Sequence, residues 1–271
     1  MGQRDIHFYG TLAIAKAAGY SDEQAKLIAW ADEETDYTLQ CQWYNPHRWN
    51  HYGLCFHFWP GDKDNLICSP DSELSKRIIT NVTHDHLTEQ GLCAIGIAAH
   101  GLQDSLFHRG WVGKFSRHNC LPLWSKNKFT PSIPFPFGHT ALAKIPDIAS
   151  AIWYDPRTGQ TIHNRSRAIP AAVATAKVLG TGDIPAIIRI FAHEDDYETR
   201  KRRLRNDYET RKRKLRNLAG MPDLRFSDIR EGMLKKYRKP FMAAAKEQAK
   251  IVKEYLCKDG CKVKNDLFSN K

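Results

Sequence analysis

The chain has 271 residues, with 41 Lys and Arg against 30 Asp and Glu, a formal net charge of +11. Hydrophobic residues make up 42% and aromatic residues 11%, which excludes a disordered chain and suffices for a large buried core. No apolar run reaches the ~18 residues of a membrane helix, and no secretory signal pattern is evident. A cytoplasmic location is expected, with export by a specialised secretion system left open. The cysteines at 41, 55, 68, 93, 120, 257 and 261 are odd in number and lack paired zinc-ribbon spacing, so they read as reduced thiols.

In chain order the pattern predicts helices almost throughout. Residues 11–18 are apolar and alanine-rich and end at Gly19. Ser21, with Gln24 three residues on, is a capping box opening a helix to about Asp36. Residues 37–70 read as a long loop, a length that usually signals function. A helix starting at Ser69-Pro70-Asp71 reaches about Val82, and a central helix covers roughly 88–108. After a proline-rich loop, a short helix follows Gly138 and a further loop reaches Ser166. Helices over 168–179, 184–218 and 227–256 complete the chain, the last interrupted or kinked by Pro240.

The central helix carries the chemistry. His100, Asp104 and His108 stand at four-residue intervals, and each step of four advances about 40° around an α-helix, so all three project from one face. Their neighbours are apolar or small, which places the helix in a core. Two imidazoles and a carboxylate buried there need compensation. A divalent metal supplies it, and imidazole nitrogen with carboxylate oxygen suits zinc. The plain alternative is that these side chains hydrogen-bond one another at a helix end.

His7, Asp36, His57, His139 and Asp147 extend the set beyond what one ion needs. Two or three metals bridged by a carboxylate suit phosphate-ester hydrolysis, because they bind phosphoryl oxygens and activate water. Asp36 and Asp104 are the candidate catalytic carboxylates. A competing signal is the adjacent pair His84-Asp85, the mark of HD-type phosphohydrolases, with His57 upstream and Asp104 or Asp147 downstream. Alone it is weak.

Residues 196–206 and 207–217 are a tandem duplication, DYETRKRRLRN followed by DYETRKRKLRN. Eleven residues make close to three helical turns, so repeated positions share a face, with Tyr197, Leu204, Tyr208 and Leu215 as a stripe. Ten Lys and Arg against four acids give this segment +6. It is either a solvated helix with intrahelical ion pairs or a surface for nucleic acid or anionic lipid. In the second case Arg200, Arg202, Arg203, Arg205 and Arg211 are the candidate contacts.

The order His, Asp, His, then the central His-Asp-His helix, then His, resembles the zinc-dependent phospholipase C and single-strand nuclease superfamily. The blocks HFYGTLAIAKAAGYSDEQAKLIAWADEETD, FHFWPGD, AHGLQDSLFHRGW and GHTALAKIPD resemble an uncharacterised bacterial family of unknown function, over roughly residues 5–155. The superfamily likeness implies His7 as the early ligand, Asp36, His57 and His100 at a central metal, Asp104 as the bridge, and His108 with His139 at a third ion. Asp5 is the candidate for the place the superfamily gives its N-terminal residue. Ala143 stands where a last acidic ligand is expected, leaving Asp147 to reach in through a bend.

The expectation is therefore an all-α bundle built around a central metal-binding helix. Residues 1–182 would form the metal-binding domain and 183–271 a basic helical extension. Two or three zinc ions, or another divalent metal, would serve a phosphate-ester hydrolase. A non-catalytic, metal-stabilised scaffold that docks on polyanions or membrane is the alternative, and the oligomeric state is left open.

Overall fold

The computed structural model describes residues 4–39, 51–82, 88–120, 138–139, 142, 145–192 and 200–257, the side chains of 200–207 excepted. The described chain is mostly helical: α1 (Thr11–Ala17), α2 (Asp22–Thr38), α3 (Glu73–Val82), α4 (Glu89–Phe107), α5 (Arg165–Val178), α6 (Pro185–Ala192), α7 (Arg200–Leu218) and α8 (Phe226–Cys257). Local signals start the helices where expected. Ser21 Oγ accepts from the Gln24 amide and Gln24 Oε1 from the Ser21 amide, closing the capping box of α2. Thr88 caps α4 through the Gly91 amide at 3.0 Å.

α4 is the axis of the bundle. It packs against α2, α5, α8 and α3, and its residues 91–105 are buried at nearly every position. Two glycines make this close packing possible. A Cβ on Gly96 would overlap the Ile28 carbonyl oxygen and lie 2.8 Å from Ala31 Cβ on α2, and one on Gly101 would overlap the Trp59 ring. α7 and α8 share the same apolar core, through Leu215, Phe226, Phe241 and Val252. α8 runs through Pro240 as one helix.

Two expectations need correction. The 37–70 segment is not all loop: residues 51–52 are helical and continue into a π-helical turn, Gly53–His57. A second π-helical turn, Asp5–Gly10, precedes α1. The stretch before Ser166 contains an antiparallel hairpin, β1 (Ile152–Asp155) with β2 (Gln160–His163), pairing Ile152 with His163 and Asp155 with Gln160. Its turn residues Asp155, Pro156 and Gly159 carry the hairpin signal that helix-biased reading passed over.

The acidic run on α2 is buried whole, with Asp32, Glu33, Glu34 and Asp36 at 0, 2, 0 and 6% exposure. Asp32 and Asp36, one turn apart, face α4. Glu33 meets Arg4 at 3.0 Å, and Glu34 receives a two-pronged contact from Arg230 of α8 at 2.8 and 2.9 Å. Among the described residues no helix is long and apolar enough to cross a membrane.

Candidate metal centre

Five of the proposed ligands converge with Asp32 at the centre of the bundle, and three more gather at the C-terminal end of α4. The inner group is Asp36, His57, His100 and Asp104. Asp104 Oδ2 lies 2.8 Å from His57 Nδ1 and 3.2 Å from His100 Nε2, and these two nitrogens are 3.1 Å apart. Asp36 Oδ1 stands 3.9 and 3.8 Å from the same nitrogens. On the far side, Asp104 Oδ1 is 3.4 Å from His7 Nε2. Beside it, His7, Asp32 and His100 form a second group.

The outer group is His108, His139 and Asp147. His108 Nε2 sits 2.9 Å from Asp147 Oδ1 and 3.0 Å from His139 Nε2, and His139 Nε2 lies 3.2 Å from Asp147 Oδ1. Asp147 thus reaches the histidines despite Pro146, through the short 3-10 turn Ile145–Asp147. Asn164, fully buried, holds that turn: its Nδ2 contacts the carbonyls of Ile145, Pro146 and Ile148 at 2.8–2.9 Å, while its Oδ1 accepts from Trp153 Nε1. Phe58 stacks on His108 with ring centroids 4.4 Å apart, and Trp111 lies edge-on to His139.

What decides the chemistry is where the hydrogens point. His100 Nδ1 donates to Asp32 Oδ1 (3.2 Å), His57 Nε2 to the Leu39 carbonyl (3.2 Å), and His108 Nδ1 to the His57 carbonyl (2.9 Å). A neutral imidazole has one N–H, so each ring turns a bare nitrogen toward its group. There it meets carboxylate oxygens, which are also acceptors. Buried acceptors facing acceptors need a proton or a cation between them. An outer carboxylate or carbonyl fixing the tautomer of each ring is also the usual support of a metal-binding histidine.

The titration behaviour of the bare protein follows. Burial opposes charge on His7, but Asp104 and Asp32 outweigh it and hold that ring well above its ordinary value. His100 is likewise pushed up to about 9, chiefly by Asp104 against burial. His108 is raised by Asp104 and Asp147 over the opposing burial. Burial and the neighbouring His100 push His57 down. Asp104 and Asp147, despite burial, are held well below the carboxylate range by the surrounding imidazoles. Without a metal, protons fill the gaps between acceptors, and a metal would displace them.

The sites of the other expected residues differ. Asp5 is absent from all three groups: its Oδ2 takes the Arg211 Nε at 2.6 Å. Arg211 is therefore no surface contact for a polyanion. It is buried, with its charge used by a buried carboxylate. Asp104 joins the inner group and His7 but stays 3.8 Å from His108 Nδ1, so it does not reach the outer group's facing nitrogens. His84 and Asp85, and the side chains of Arg200, Arg202, Arg203 and Arg205, lie outside the described residues. Asp32 escaped the sequence reading, although its place one turn before Asp36 on the same helix face was a usable signal.

A family model covers the chain over residues 2–46 and 34–270. The chain belongs to the DUF6765 family, a family of unknown function. Neither curated proteins nor solved structures give a match. For this DUF6765 member the site itself carries the functional argument. Buried His and Asp groups able to hold a metal ion are present, and both π-helical turns deliver a histidine to them, as such turns often do at functional sites.

Proposed function

We propose that the protein is a zinc-dependent hydrolase of phosphate esters, with one metal in the inner group and another in the outer. The observation that carries this reading is the convergence, within 4.8 Å of one another, of buried imidazole nitrogens and carboxylate oxygens that could hold an ion. Mixed nitrogen and oxygen donors suit zinc. Bound ions would polarise the phosphoryl group and lower the pKa of a water molecule. The chain's own contribution is placement. Asp104 spans His7 on one side and His57 with His100 on the other, and Asn164 presents Asp147 to His108 and His139.

The two groups suit different tasks. The inner one offers four buried donors, a closed set. The outer one offers three, with the His139 side chain 14% exposed, which leaves room for a substrate oxygen. The net charge of +11 favours anionic substrates. A second reading draws on the closed inner group alone: a structural metal in a non-catalytic scaffold, with the exposed basic residues of α7, such as Arg213 and Lys214, meeting anionic polymers or membrane.

Metal analysis of purified protein by mass spectrometry, followed by hydrolysis assays on phosphodiester, phosphomonoester and phospholipid panels with and without chelator, separates these readings. The hydrolase reading expects about two zinc ions per chain and turnover that chelator abolishes and zinc restores. Metal without turnover favours the scaffold, and absence of metal ends both.

A further inference from the structure

One buried amide stands between three helices and the metal groups. Gln103 lies on α4 between His100 and Asp104 and is 1% exposed. Its Oε1 is 2.7 Å from His7 Nδ1, and its Nε2 is 2.9 Å from both Thr11 Oγ1 on α1 and Thr175 Oγ1 on α5. Which end of the amide is oxygen follows from the hydroxyls. Thr11 spends its one hydrogen on Asp32 Oδ2 at 2.7 Å, and Thr175 spends its own on the Ala171 carbonyl at 2.9 Å. Neither carboxylate nor carbonyl can donate, so both hydroxyls are acceptors toward Gln103. Both hydrogens of its amide nitrogen are thereby used.

That leaves the amide oxygen facing His7, where it accepts the Nδ1–H. Asp32 Oδ1, at 3.2 Å from the same nitrogen, is the more distant acceptor. His7 in its neutral form then turns a bare Nε2 to Asp104 Oδ1 at 3.4 Å. We infer that Gln103 is a positioning residue that locks the His7 ring, through Thr11 and Thr175, in the tautomer that turns Nε2 to Asp104, the carboxylate on which the inner metal group converges. The chain of hydrogen bonds runs from α5 through α4 and α1 to the Asp5–Gly10 turn, so the orientation of one ring is set by three helices at once. This inference rests on the metal reading above for its consequence, though not for its geometry.

Two substitutions test it. Gln103→Met keeps the volume and removes every hydrogen bond. Gln103→Glu keeps an acceptor for His7 Nδ1–H and loses both donors to the threonines. If Gln103 acts through His7, zinc titration calorimetry should show Gln103→Met binding roughly 10- to 100-fold more weakly than the parent, the usual effect of removing the partner that orients a ligand. Gln103→Glu should stay close to the parent in affinity while melting at a lower temperature than Gln103→Met, because it buries a charge against unwilling hydroxyls. Parent-like zinc affinity in Gln103→Met overturns the inference, as does a loss of affinity that simply follows melting temperature in both variants. A parent that takes up no metal ends the hydrolase reading without deciding this one. The His7 ring nitrogen shifts, read at a pH high enough to make the ring neutral, then decide: a protonated Nδ1 in the parent and Gln103→Glu but a changed or mixed tautomer in Gln103→Met supports it, and an unchanged tautomer in Gln103→Met overturns it.

Discussion

The chain contains two dense runs of charge, and the fold treats them oppositely. The acidic run at 32–36 on α2 is buried, with two carboxylates facing imidazoles and two clamped by Arg4 and Arg230. The basic repeat on α7 leaves Arg213 and Lys214 in solvent and buries Arg211 against Asp5. Charge density in a sequence therefore says little about exposure. A charge goes inside where the fold brings a partner to within hydrogen-bonding reach, and each of the four α2 acids has an arginine or an imidazole within 4 Å.

The harshest way to break this contrast is to remove the carboxylate on which the imidazoles converge. Asp104→Ala strips the common partner from His7, His57 and His100, and breaking a buried charge set of this kind costs about 3–5 kcal/mol. Thermal melting should register that loss, and metal analysis should find the inner group empty. Retained metal and parent-like melting would contradict the assignment. Next in size is Arg211→Gln, which orphans the fully buried Asp5 carboxylate and should cost roughly 3 kcal/mol. Denaturant unfolding reads this directly, and a value near zero would return Arg211 to the surface.

A pH series sharpens the contrast from the side of the acids. His100 titrates near 9 in the bare fold instead of 6.5, and burial with Asp36 nearby lifts Glu33 from 4.5 to about 8. Both groups hold protons more tightly folded than unfolded. Metal-free protein should therefore lose stability as pH rises from about 4.5 to 9, by on the order of 5 °C in Tm. Below pH 6.5 the depressed His57 works the other way, because unfolding releases it to take up a proton, and below pH 3.8 the depressed Asp104 and Asp147 add to that loss. With zinc the trend above pH 6.5 should reverse, since metal competes with those protons. Parallel curves with and without zinc would show that the metal binds elsewhere.

Smaller effects mark the edges of the comparison. Arg230→Ala removes the clamp on Glu34, and since the guanidinium is about one-third exposed, the expected cost is about 1–2 kcal/mol. Arg213→Gln, two residues from Arg211 and solvent-facing, should change stability by less than about 0.5 kcal/mol. A large effect there would mean that the repeat is packed against something after all.

Much of this arrangement was legible from spacing. His100 and Asp104 share a helix face because helical geometry forces it, with His108 following at the helix end, and the capping signal at Ser21 is local. His7 and His57 could be singled out as residues but not placed, since π-helical turns have no distinct apolar period. Gln103 and Asn164 were invisible for another reason. Their roles consist of hydrogen bonds across 72 and 92 residues of sequence for Gln103, and an isolated buried amide looks like any other polar residue until its partners are known. Arg211 misled because its charge is typical of the repeat while its environment is not.

The contact at Gly96 reaches further than packing. It lies one turn before His100 on α4 and touches α2 at Ile28, Ala31 and Asp32, so the distance between the helix bearing Asp32 and Asp36 and the helix bearing His100 and Asp104 is fixed by bare backbone. An ion of larger radius would have to wedge those helices apart along the bundle axis, and a smaller one could not draw them closer than the glycine already allows. Any size selectivity among cations at these groups would in this sense be a property of a residue that has no ligand atom, and Gly96→Ala would widen the bore for every donor pair at once.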